Sequence, residues 1–336
     1  VAVEETRMKR TFLATLGVLL VVPAAAIADT ITVPGDFNDI DEAVEAAASG
    51  DTIQVESGTY AGDVEVRETS NLTIEGVDTG GGIPVVQTGA DDDAFRVREA
   101  SDITIQNFRI VGGERGVRSD DASNVTVVGN TIEGTQTGIR LKRGSGHIVT
   151  GNNVLGTSGG DGIRIRGAAG VQVDSNTVDS AAEDGIRAKR AKGIAITNNA
   201  MMKSNGHGVR VLRSSNAVVG NTAMGGNSSS ENARSGIRMK RSQGASLGNN
   251  VADENGGYGI RVQSSAPVSS VADLTNAGNT AECNGIADFR VGGDVVSGDC
   301  GGGSTTTSST SSSTTSTSVS TTSTSVSTTT TSVTLP

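Results

Sequence analysis

Three side chains able to move protons recur at one spacing. Asp161, Asp184 and His207 stand 23 residues apart, each directly before a Gly-(Ile/Val)-Arg tripeptide, and Glu183 precedes Asp184. Placed on one edge, such groups suit general acid–base work. An inverting hydrolase needs one carboxyl to protonate the leaving group and another to activate water, with room between them. Arg238 and Lys240 come one turn further on. The position before the other tripeptides carries Arg115, Thr137, Ser235 and Tyr258, so the candidate catalytic set is Asp161, Glu183, Asp184 and His207. Asp-Gly and His-Gly also suit a plain bend before a strand.

The tripeptide itself carries cations. Its arginines are Arg118, Arg140, Arg164, Arg187, Arg210, Arg238 and Arg261, and Phe-Arg-Val variants add Arg96 and Arg290. Alternation in Gly138-Ile139-Arg140-Leu141-Lys142 sends Ile139 and Leu141 to one face and Arg140 and Lys142 to the other. The same rule collects Arg140, Lys142, Arg164, Arg166, Arg187, Lys189, Arg210, Arg238, Lys240 and Arg261 as candidate ligand-binding residues. Residues 138–261 hold 17 basic and 8 acidic residues, a net +9, although the whole chain is −10 and residues 1–137 are −15. Solubility alone does not require one sign on successive turns, because like charges side by side repel. A surface for an acidic polysaccharide or cell-envelope glycan does. With no Trp, 2 Tyr and 5 Phe, nucleic acid is not the expected partner.

These residues must be positioned by a repeat. The arginine steps are 22, 22, 24, 23, 23, 28, 23 and 29, and the last long steps mark insertions, one assigned to the polar patch Asn227 to Asn232. In phase run Asn107, Asn130, Asn152, Asn176, Asn199, Asn221, Asn249 and Asn279. The apolar runs are short, β-branched and cut by Gly, which excludes helices and predicts three short strands per unit. Such units stack as a parallel β-solenoid of about nine to ten turns, with strands about 4.8 Å apart. Each inward Asn would bond its copies above and below, forming a structural ladder. Phe37, Ile40, Val44 and Ala47 recur at helical spacing and predict a helix over 36–49.

This pattern resembles the single-stranded right-handed parallel β-helix repeat proteins, the pectin-lyase-like family, over about residues 30–298. The resemblance extends to the opening, where Thr30-Ile31-Thr32-Val33-Pro34 precedes the helix and Gly50-Asp51-Thr52-Ile53-Gln54-Val55 follows it. It implies an all-β fold with a helix capping the first turn. Gly159-Gly160-Asp161, Glu183-Asp184, Gly206-His207-Gly208 and Arg238-Met239-Lys240 resemble, more weakly, the site of the polygalacturonases. That likeness implies Asp184 as general acid, Asp161 and Glu183 activating water, His207 tuning the acid, and Arg238 and Lys240 holding a uronate. Asn-Thr is missing before Asp161, and Gly185 stands where that family has Cys. No cofactor is expected, apart from calcium at Asp91-Asp92-Asp93 if the chemistry is that of a lyase or epimerase. The signatures of alginate epimerases and pectate lyases are absent. Copper delivery, through Met201, Met202 and His207, has little support because alternation separates the two Met.

The ends have other compositions. Residues 1–28 read as a signal peptide, with Met8-Lys9-Arg10 beginning it, an apolar run from Thr11 to Val22, and cleavage after Ala28. No other segment is apolar enough to cross a bilayer, so a secreted, cell-surface or periplasmic protein without a transmembrane segment is expected. Residues 303–336 form a Ser/Thr-rich tail that cannot bury a core and is expected to be disordered. Export permits a disulfide between Cys283 and Cys300 at the end of the repeats. Residues 29–302 remain for the β-helix. A role as adhesin or interaction scaffold without any glycan is a third possibility.

Overall fold

The computed structural model describes residues 28–221, 223, 225–297 and 306–308. The signal-peptide reading falls outside these residues except at Ala28, as do Cys300 and most of the tail. Three parallel sheets wind around one core as a right-handed β-helix of about ten turns. The first sheet runs from Thr30–Val33 to Ser246–Leu247, the second from Thr59–Ala61 to Ser228–Ser230, and the third, from Val64–Arg67 onward, carries the tripeptides. Inward positions stack like on like. Phe95, Val117, Ile139, Ile163, Ile186, Val209, Ile237, Ile260 and Phe289 form one fully or nearly buried column of the third sheet.

The glycine of the tripeptide has a packing reason. A Cβ on Gly185 would lie 2.7 Å from the Gly208 carbonyl and 2.9 Å from Met201 Cγ. Only a residue without a side chain lets consecutive turns and the second sheet approach so closely.

The capping helix is shorter than the periodicity predicts, Ile40–Ala46. Asp36 instead closes a turn, its carboxylate accepting from the N–H and hydroxyl of Thr32 at 2.8 Å. Asp39 is the N-cap and accepts from Glu42 N–H. Ile40, Ala43 and Val44 are buried against the first turn. Asp41 accepts the N–H of Glu65, so the helix also satisfies part of the open sheet edge. At the other end Ala287–Val291 pairs antiparallel with Asp294–Ser297, which pairs with Thr306–Ser308.

The insertions need correction. The 28-residue step is not made by Asn227 to Asn232, because Ser228–Ser230 is a regular strand of the second sheet. Before that strand, Asn221 and Gly225 exchange paired backbone bonds. The 29-residue step holds a helix absent from the sequence reading, Val271–Asn276, with a Ser270/Asp273 capping box.

Candidate functional site: an arginine ladder and its edge

The third sheet places one arginine directly above another on nine strands. Arg96, Arg118, Arg140, Arg164, Arg187, Arg210, Arg238, Arg261 and Arg290 are register partners in sequence, and Glu65 stands at the acidic end of the column. Two residues on, a parallel column reads Arg67, Arg98, Asp120, Lys142, Arg166, Lys189, Leu212, Lys240 and Gln263. All ten candidate ligand-binding residues therefore share one outer face. Arg96, Arg118 and Arg290 belong to the same ladder, and the register of the tripeptide was the signal for them.

At about 5 Å and an effective dielectric of 20, each neighbouring pair of such charges repels by roughly 3 kcal/mol. The edge column in front of the ladder partly offsets this. Buried Asp93 meets Arg96, Arg115 and Arg118 at 3.0–3.2 Å. Asp161 lies 3.6 Å from Arg164 and 3.9 Å from Arg187, and Asp184 lies 3.3 Å from Arg210. Beyond Arg210 the column becomes neutral. His207 faces Arg238, and the Tyr258 ring lies 5.0 and 5.5 Å from the guanidinium carbons of Arg261 and Arg290, a cation–π arrangement. Burial followed by the charge of neighbouring Arg210 and Arg261 pulls Arg238 below its ordinary range.

Asp161, Asp184 and His207 are brought together as one buried column. Each accepts the backbone N–H of the same position one turn on. Asp161 Oδ1 takes Asp184 N–H at 3.1 Å, Asp184 Oδ1 takes His207 N–H at 2.9 Å, and His207 Nδ1 takes Ser235 N–H at 3.1 Å. Glu183 is not in that column. It is exposed and pairs with Arg187 at 3.0 Å. Burial pushes Asp161 up to about 7, aided by the Asp184 charge and opposed by Arg187. Burial holds His207 down at about 4, with Arg238 and Arg210 adding to the effect and Asp184 opposing it. Of the aspartate run, Asp93 is committed to arginines while Asp91 and Asp92 are exposed.

The second candidate set, the Asn ladder, is partly re-registered. Asn130, Asn152, Asn176, Asn199 and Asn279 are joined by Asn227 and Asn250, each side-chain oxygen accepting from the backbone N–H one turn before. Asn107, Asn221 and Asn249 lie outside it. The inward places are held instead by Phe108, Asn227 and Asn250: Phe108 donates its backbone N–H to Asn130 but has no side-chain amide, while Asn107 is exposed at positive φ. Asn232, Asn255 and Asn284 form a further ladder that the sequence reading missed.

One cleft on the cationic face, of about 220 Å³, is lined by Lys189, Arg210, Leu212, Arg213, Arg238, Lys240 and Arg241. None of Asp161, Glu183, Asp184 or His207 lines it.

A family model described as periplasmic copper-binding protein (NosD) matches residues 44–229, and one described as right handed beta helix region matches residues 144–325. No curated protein matches the chain. Among solved structures, the Azotobacter vinelandii mannuronan C-5 epimerase AlgE4 A-module is similar at 16% identity and a TM-score of 0.51, covering 74% of this chain and 85% of that one. The periplasmic alginate epimerase AlgG is similar at 16% identity and a TM-score of 0.46, covering 78% and 80%. An alginate lyase from Paenibacillus sp. str. FPU-7 has 14% identity and a TM-score of 0.42, covering 79% and 98%. At such identities the likeness is one of fold.

Proposed function

The chain belongs to the right-handed β-helix proteins and, over residues 44–229, to the family described as periplasmic copper-binding protein (NosD); from that premise we propose that it is an exported protein that binds an acidic polysaccharide along its arginine ladder. The observation that carries this reading is the ladder itself, nine arginines in register on one face. A linear polyanion laid across the strands meets a new guanidinium at every turn, and the fork geometry suits carboxylates. The periplasmic description of the family and the leader read at residues 8–28 support export. No helix among the described residues is long and apolar enough to cross a membrane.

Copper does not fit the described residues. No group of three His, Cys, Asp or Glu among them is placed to hold a metal ion. His147 and His207 each spend Nδ1 on a backbone N–H, from Val125 and Ser235, and His207 Nε2 lies 3.3 Å from the Arg238 guanidinium. Met201 points into the core, and Met202 points outward. A soft-metal site needs free nitrogen or sulfur donors directed at one point. Nor do Asp91, Asp92 and Asp93 form a group placed to hold a metal ion.

Affinity electrophoresis through polygalacturonate and alginate gels tests the binding reading. The chain should be retarded, less so as salt rises, and the Arg166→Glu/Lys189→Glu variant should run free while its circular dichroism is unchanged. Retardation indifferent to both salt and substitution would remove the proposal.

A second reading, cleavage or epimerisation of a polyuronate on the same face, has one observation in its favour. Asp161 is a buried carboxyl held near 7, with Oδ2 lacking a hydrogen-bond partner beside Arg187, which keeps a proton available at neutral pH. Polygalacturonate and alginate, with and without calcium, should yield no new reducing ends, unsaturated products or epimerised residues. Turnover by the parent that Asp184→Asn abolishes would put the enzyme first.

A further inference from the structure

The cationic face is not uniform, and a hollow lies where one of its columns lacks a charged residue. In the column of Lys142, Arg166, Lys189, Leu212 and Lys240, every residue but Leu212 ends in a charge. Leucine lacks the length and the head of its neighbours. The cleft of about 220 Å³ lies at this shorter, uncharged position, lined by Leu212 and six cations. Arg213 and Arg241 reach it from bends at positive φ, and Arg210 and Arg238 from the ladder. Compensation is weak here. Asp184 meets Arg210, and no carboxylate lies within ion-pair distance of Lys189, Arg213, Arg238, Lys240 or Arg241 among the described residues. The edge positions beside the cleft, His207 and Ser235, are neutral at physiological pH.

We propose that this cleft is a discrete subsite for a tetrahedral oxyanion, a sulfate or phosphate ester carried on the polymer that the ladder holds. The proposal rests on the polyanion reading of this face and narrows its chemistry. A planar carboxylate satisfies one arginine fork. A sulfate or phosphate ester, a monoanion and close to a dianion respectively, offers three acceptor oxygens in diverging directions and suits donors that converge from several strands. Leu212 supplies an apolar floor on which the carrier sugar can rest, while water remains excluded from the lower side of the anion.

The discriminating variant is Leu212→Lys. It adds a positive charge but fills the hollow, and lysine already stands at this position on both neighbouring turns, so the fold should tolerate it. Calorimetric titration of the chain with inorganic sulfate and with inorganic phosphate, at constant ionic strength against acetate, should give saturable binding of the tetrahedral anions only. Leu212→Lys and Arg213→Ala/Arg241→Ala should each weaken it about ten-fold. Dextran sulfate and polyphosphate separate the two ester sources, and the one with higher affinity identifies the ester. Polygalacturonate binding should survive Leu212→Lys. If Leu212→Lys instead tightens the tetrahedral anions, the cleft acts only as diffuse charge and the subsite is overturned while the polyanion face stands. If neither polyanion nor polyuronate binds the parent, the functional reading fails with it.

Discussion

At the scale of single residues, two buried groups oppose one another in their response to pH. Asp161 is raised in the fold, so the native state binds the proton more tightly than the unfolded chain. Stability from this group is greatest below about 4 and falls as pH rises to about 7. His207 is depressed to about 4. The unfolded chain takes up its proton first, and stability is lost as pH falls from about 6.5 to about 4. The slopes run in opposite directions over nearly the same window, so the parent should conceal both. In Asp161→Asn the Tm relative to the parent should climb between pH 4 and 7 and level off above, as followed by thermal unfolding at several pH values. An unchanged difference across that range would mean that Asp161 is ionised throughout. The asparagines give a second residue-scale contrast. Asn176 Oδ1 accepts from the backbone and side chain of Asn152, and its Nδ2 shares two N–H among Val149 O, Asp174 O and Asn199 Oδ1, all at 2.9–3.0 Å. Asn176→Ala should cost about 3 kcal/mol in denaturant unfolding, because several buried groups lose their partners together. Asn107→Gly, at an exposed left-handed position, should stay within about 0.5 kcal/mol.

At the scale of elements, the tripeptide is one device with three uses. Its Gly admits the second sheet, its Ile or Val enters the core, and its Arg builds the face. Gly185→Ala should therefore lower stability by about 1–3 kcal/mol through a clash with Met201 and the Gly208 carbonyl. Pairing it with Met201→Ala, which relieves the side-chain half of the clash, should recover part of the loss in a double-mutant cycle. The strands and the columns were legible because period-2 alternation and a 22–29-residue step are local signals. The helix Val271–Asn276 was not, since six residues carry less than two turns of periodicity. The ladder asparagines were misassigned by one position at residues 107 and 249 for a related reason. Asn occurs both at the inward place and at the adjoining left-handed bend, and spacing alone does not say which copy turns inward.

At the scale of the whole molecule, charge is segregated along the axis. Residues 1–137 carry −15 and residues 138–261 carry +9, and the early ladder is neutralised by Asp93 and Asp120. A bound polyanion should sit over the middle and later turns. Hydrogen exchange with polygalacturonate should slow the bends near residues 142, 166, 189, 212 and 240 and leave the turn around Glu65 unchanged. Equal protection along the entire face would point to binding without this polarity.

The sequence by itself determined the repeat, the parallel β-helix and the chemistry of its outer face, because stacking copies every local alternation into a column. Tertiary structure decided what spacing cannot express. It placed Asp161, Asp184 and His207 in burial as acceptors of backbone N–H groups, set Glu183 apart on the surface, and opened a cleft at Leu212. Those outcomes depend on which neighbours arrive from other turns, on the dielectric they create, and on the length of the side chains beside a gap.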